Sequence, residues 1–189
     1  LEALELRWYD YWLKGIDNGI TTESPISLYI MGINQWREEN EWPLARTEWQ
    51  KWYLHSNSDA NTATGNGHIN TQEPLNEPPD WFTYDPSLPV PTAGGANFCS
   101  PHIIPWGPQD QRPVERRDDV LCYTSAVLAK DLELTGPINM ILYASTDGFD
   151  TDWTVKLIDV LPTGYAMLLC DGIIRARFRD SLSYPELLK

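Results

Sequence analysis

The chain has 189 residues, with 14 Lys and Arg against 27 Asp and Glu, and a formal charge of −13. That charge argues against nucleic acid or an anionic membrane as partners, since both reward Lys and Arg. The length supports one substantial core and hardly two independent domains, and 15 Pro with 12 Gly predict many turns, few long helices and an all-β sandwich or barrel.

No apolar run approaches the roughly 18 to 20 residues of a membrane span, and the first residues lack the order of a signal peptide. Three widely spaced cysteines, Cys99, Cys122 and Cys170, form neither a C-x-x-C ligand pair nor a disulfide framework. Cys122 and Cys170 read as buried reduced thiols, which suits a cytoplasmic setting.

In chain order, Leu1, Leu4, Trp8, Tyr11 and Trp12 recur at spacings of three and four. They predict a helix ending at Gly15, with an aromatic stripe that must pack on something. Ile26–Met31 reads as a strand, 32–44 as a polar loop carrying Trp36 and Trp42, and Trp49–Leu54 as a second strand. Residues 55–80, rich in Asn, Thr, Ser, Gly and Pro, predict a long surface connection with short strands at most, on which His55 and His68 are solvated. Trp81 to Gly95 holds three prolines and a Gly-Gly pair, so it behaves as a shaped arm.

Residues 97–108 continue the arm as an irregular loop with apolar tips at Phe98, Ile103, Ile104 and Trp106. Val120–Val127 opens a β region. It continues in three strand-like runs, Ile138–Tyr143, Trp153–Val160 and Tyr165–Arg179, separated by turn signals and read as a β-meander. Along Trp153–Val160, alternation sends Trp153, Val155, Leu157 and Asp159 one way and Thr154, Lys156, Ile158 and Val160 the other.

The usual catalytic constellations are weak. No G-x-S-x-G elbow and no Gly-rich phosphate loop occurs. His102 lies three residues after Cys99, but a Pro-containing loop does not oblige them to face each other. Asp147, Asp150 and Asp152 could gather calcium ligands but complete no EF-hand, and an acidic hairpin turn is the simpler reading. Glu115 to Asp119 reads as a salt-bridge run. No metal ligand set and no cofactor site emerges. Nine tryptophans keep a carbohydrate-binding module open, although most sit where core or interdomain packing is the simpler account.

Five segments then carry a resemblance: G-I-N-Q-W-R-E-E-N-E-W-P-L (32–44), Y-D-P-S-L-P-V-P-T-A-G-G (84–95), G-P-Q-D-Q-R-P-V-E-R-R-D-D-V-L-C-Y-T-S (107–125), L-T-G-P (134–137) and D-T-D-W-T-V-K-L-I-D-V (150–160). In the same order, and on through C-D-G-I-I-R-A-R-F-R (170–179), they resemble the C-terminal part of the cocaine esterase and X-Pro dipeptidyl-peptidase family of serine hydrolases. The resemblance implies a jelly-roll β-sandwich of the galactose-binding-like type, packed on an α/β-hydrolase domain.

It further implies that residues 1–20 are the terminal helix of that preceding domain, and that 21–189 are a jelly-roll domain with a long loop at 55–80. The family's Ser, Asp and His triad lies upstream of the helix, so no catalytic residue carries over. The family's further strands after R-F-R-D-S are absent too, so the sequence reads as a fragment cut at both ends.

The implied partners are the upstream α/β-hydrolase domain and a small ester, amide or X-Pro peptide at the domain interface. A homo-oligomer is a further alternative. The implied role is to help shape the substrate pocket, with Phe98, Cys99 and Trp106 lining it, or else packing an interdomain seam. Gln109, Asp110, Gln111 and Arg112 would fix the loop by hydrogen bonds rather than touch substrate. The alternatives are a free-standing carbohydrate-binding module and a purely structural interdomain or oligomerisation domain.

Overall fold

A computed structural model of the chain describes residues 2–98 and 100–189. The chain forms two compact units, 1–49 with 132–139 and 50–131 with 140–189. Among the described residues the one long helix is α1 (Glu2–Lys14), and six strands pair as three antiparallel hairpins.

In the first unit α1 ends where Gly15 turns left-handed at φ 68° and donates its N–H to the Tyr11 carbonyl at 3.1 Å, the αL stop expected of glycine. No described side chain of α1 is buried; Trp8 and Trp12 stand 51% and 57% exposed, so the described residues of the first unit leave the stripe open. β1 (Ile26–Ile30) pairs with β2 (Gln35–Glu39).

The polar stretch read as a loop at 32–44 therefore contains a strand. Cross-strand partners explain why polar residues pair here. The Tyr29 and Trp36 rings meet edge to face at 5.3 Å, Ser27 Oγ donates to Glu38 at 2.7 Å, and Arg37 forks onto the Glu133 carboxylate at 2.7 and 3.1 Å. Hydrogen bonds from Arg37 and Thr135 hold the Glu133 carboxyl down at about 2.

In the second unit β3 (Tyr53–His55) pairs with β4 (His68–Asn70), and β5 (Asp152–Val160) with β6 (Ala166–Arg175). Three corrections follow. The second predicted strand begins only at Tyr53. Ile138–Tyr143 forms no strand, with Ile141 80% and Tyr143 97% exposed, so the expected meander is a hairpin of β5 and β6. Within Val120–Val127 only Leu121 and Thr124 make isolated bridges, to Asn61 and His68. A β-prone composition describes a surface ready to be half-buried and does not itself supply the neighbouring ladder.

The β5 alternation holds over Asp152–Val155 and then fails. Leu157 pairs with Cys170 and Ile158 with Leu168, so Leu169 is an extra residue on β6. A bulge of this kind resets which face each side chain takes. The small buried core of this unit comprises Ala60, Val114, Ala166, Leu168 and Ala176, with Gln111 among them at 0% exposure.

Two further residue readings change. Cys122 is half-buried and Cys170 exposed, both free thiols, because Cys170 follows the bulge onto the open part of β6. Among the described residues no tryptophan is buried, so core packing within the chain does not account for them.

His55, expected to be solvated, is buried at 6% exposure. Its Nδ1 lies 2.7 Å from Glu77 Oε1, its Nε2 lies 2.9 Å from the Gln72 carbonyl, and its ring stacks on His68 at 4.9 Å. Both ring nitrogens face acceptors, which suits the doubly protonated imidazolium. The Glu77 hydrogen bond raises the His55 pKa above its ordinary 6.5. Its contribution to stability is then full below pH ~6.5 and is lost as pH rises through the raised value. We expect amide protection across 68–77, taken relative to intrinsic base-catalysed exchange, to fall on the alkaline side, and this fall to be absent in His55→Gln.

Candidate functional site

The Pro-rich arm runs into a loop whose neck is built from glycines. Gly95 and Gly107 exchange backbone hydrogen bonds at 2.9 and 3.2 Å, so residues 96–106 leave and return at one point. Gly94, Gly95 and Gly107 take φ of 75°, 86° and 77°, a region L side chains avoid. A Cβ on Gly94 would sit 2.4 Å from the Gly107 carbonyl oxygen, and one on Gly95 would sit 3.1 Å from an Asp171 carboxylate oxygen. The neck thus requires glycine for space as well as for dihedral.

Beyond the neck the loop presents apolar side chains to solvent. Phe98 is 98% exposed, Ile103 78% and Trp106 52%, while Ile104 is half-buried. Ile103 and Ile104 close a turn onto the Ser100 carbonyl at 2.8 and 3.0 Å. His102 is exposed. Cys99, expected beside Phe98, lies outside the described residues.

The segment after the neck is fastened to β6. Leu168 N–H donates to the Gln109 carbonyl at 3.2 Å and Gln111 N–H to the Ala166 carbonyl at 2.8 Å, while Asp110 bridges Met167. Gln109 Nε2 reaches the Trp106 carbonyl at 3.0 Å. Asp110 accepts from the Arg112 guanidinium at 2.6 to 3.0 Å, which holds its carboxyl at about 2. Arg112 stands over the Tyr165 ring at 5.8 Å, and the Tyr165 hydroxyl donates to the Pro108 carbonyl at 3.2 Å.

Gln111 is the centre of this arrangement. Its Nε2 donates to the Ala93 carbonyl at 2.8 Å and the Gln109 carbonyl at 3.0 Å, and its Oε1 accepts from Lys156 Nζ at 2.7 Å. One buried amide therefore joins the arm before the neck, the segment after it and β5. Sequence reasoning named the four residues 109–112 but missed Lys156; its signal was a lysine in the middle of the apolar strand W-T-V-K-L-I-D-V.

The other candidate chemistries find different employment. Asp150 pairs with Arg177 at 2.5 Å and Asp152 with Arg175 at 2.7 Å, and among the described residues no three acidic, His or Cys side chains gather as a metal site. Arg117 binds Asp119 at 2.6 Å and the Leu88 carbonyl at 2.7 Å, so the charged run braces the Pro-rich arm. Burial pushes the Cys122 thiol up to about 11 and raises that of Cys170 as well, the opposite of an activated nucleophile.

Residues 18–189 match the X-Pro dipeptidyl-peptidase C-terminal non-catalytic domain. The chain belongs to this family. It is 42% identical to the cocaine esterase of Rhodococcus sp. (strain MB1 Bresler) over 96% of its own length and 31% of the relative. It is 26% identical to a putative serine esterase of Mycobacterium bovis over 92% of its length and 26% of that protein. The chain thus spans about a third or less of the curated relatives it matches.

Among solved structures, an α-amino acid ester hydrolase superposes with a TM-score of 0.64 and 27% identity over 96% of this chain and 31% of that one. An aminopeptidase from a marine sediment archaeon, Thaumarchaeota archaeon, superposes with a TM-score of 0.67 over 98% of this chain and 30% of that one. At 24% identity it speaks for the fold alone. The all-β sandwich class of this family's C-terminal domain is therefore the fold of the chain, as the sequence predicts, and the hairpins are its strands.

Proposed function

We propose that this X-Pro dipeptidyl-peptidase C-terminal domain is the accessory part of a serine hydrolase that cleaves an ester, amide or X-Pro peptide bond, and that its 96–106 loop helps to shape the substrate pocket. The partner is an α/β-hydrolase domain of the same protein, which supplies the Ser nucleophile, the His base and the Asp that orients it. The reading is carried by the loop itself. Its neck is closed by glycines and paired backbone, yet it holds Phe98 and Ile103 out in solvent, where apolar side chains gain nothing unless something covers them. A mostly apolar pocket that excludes water rewards an acyl or prolyl group by burial.

Phe98→Ala in the full-length protein is the test. The Michaelis constant or the preference among acyl groups of increasing size is expected to change about tenfold or more, by the ~1 to 3 kcal/mol that an apolar pocket contact contributes. The melting temperature should stay unchanged, because the side chain is 98% exposed within the chain. Unchanged kinetics across the acyl series would remove the loop from the pocket.

A further inference from the structure

Lys156 departs from its surroundings. It lies on β5 opposite Asp171 of β6, and burial lowers its pKa while Asp171 and Glu115 counter that effect. A half-buried ammonium in an apolar strand has a desolvation cost and needs a compensating partner. Its hydrogen-bonding partner is Gln111 Oε1 at 2.7 Å, on a side chain with 0% exposure.

An ammonium can only donate, and a side-chain amide has one accepting and one donating end. Lys156 therefore fixes which end of Gln111 faces β5. With the oxygen held there, the NH2 group is turned toward the Ala93 and Gln109 carbonyls, one on each side of the Gly95–Gly107 neck. The reverse orientation would set the amide oxygen against two carbonyls and the NH2 against an ammonium. Asp171, the cross-strand neighbour of Lys156, has its carboxylate beneath Gly95.

We infer that Lys156 is a positioning residue: by orienting the buried Gln111 amide it fixes the neck of the 96–106 loop. The inference rests on the proposed role of that loop only for its consequence in catalysis; the positioning itself is read independently.

The experiment is amide exchange and steady-state kinetics on the full-length protein. In Lys156→Met the Gly95 and Gly107 amides are expected to exchange about ten- to a hundredfold faster, the loss expected when a charged hydrogen-bond partner is removed. Amides of the β5–β6 ladder should keep their wild-type rates. Lys156→Arg, which keeps the donor and the charge, should remain within about twofold of wild type at both glycines.

Because the two residues act in series, Lys156→Met combined with Gln111→Met should exchange no faster than Gln111→Met alone. Should Lys156→Met abolish cooperative thermal unfolding, Lys156→Ala, which likewise carries no donor, takes its place with the same expectation. Neck amides at wild-type rates in the folded variant, or additive effects in the double variant, would overturn the inference. Faster neck exchange with an unchanged Michaelis constant would support the positioning and count against the pocket role instead.

Discussion

Gln111→Glu is expected to destabilise the second unit by about 3 kcal/mol or more, despite changing one atom of a side chain with 0% exposure. The wild-type amide donates to the carbonyls of Ala93 and Gln109 while accepting from Lys156. A carboxylate keeps the Lys156 contact and sets an acceptor against two acceptors. If it takes up a proton it can donate to only one of the two carbonyls, and it loses the ion pair. Either state leaves a buried polar group unpaired, and the loss should appear as a lower urea midpoint with an unchanged m-value. Gln111→Met, which removes the polar group instead of inverting it, should be milder at the amide's own position while still freeing the neck. A midpoint equal to wild type in Gln111→Glu would show that the amide does not hold the neck.

Gly94→Ala should cost about 3 kcal/mol, roughly 1 to 2 for a left-handed L residue and the rest for its collision with backbone. The new Cβ would lie 2.4 Å from the Gly107 carbonyl, which accepts from Gly95 N–H, so the neck must open to admit it. Gly164→Ala separates the two contributions: Gly164 has φ 79°, but a Cβ there meets nothing within 4 Å. It should therefore cost only the dihedral part, about 1 to 2 kcal/mol. Equal melting temperatures for the two variants would mean that the Gly94 neck is not closed in solution.

Sequence legibility divided along physical lines. The elements that depend on local chemistry were readable. Periodic aromatics and a terminal glycine give α1, and the apolar runs give β1, β5 and most of β6. The prolines and the Gly-Gly pair mark the shaped arm. Elements that depend on a partner were not. Gln35–Glu39 is too polar to announce itself as a strand, and it is one because β1, with Tyr29 against Trp36, and Glu133 meet it there. Ile138–Tyr143 is apolar enough to announce itself and is not a strand, because no ladder reaches it.

His55 sat in a polar stretch and is buried because Glu77, 22 residues on, returns to it. At the candidate site, the family resemblance brought Phe98, Trp106 and 109–112 into view. The hub of that site was hidden, since nothing in the sequence says which lysine will meet Gln111 across 45 residues.

The most direct test is hydrolysis of an X-Pro-p-nitroanilide and a p-nitrophenyl ester by the 189-residue chain, with and without the separately expressed α/β-hydrolase domain that is the proposed partner. Turnover in the mixture, with none from the purified chain alone, is the predicted result. Activity from the chain alone that survives rigorous purification would contradict it and turn attention to Cys99 and His102.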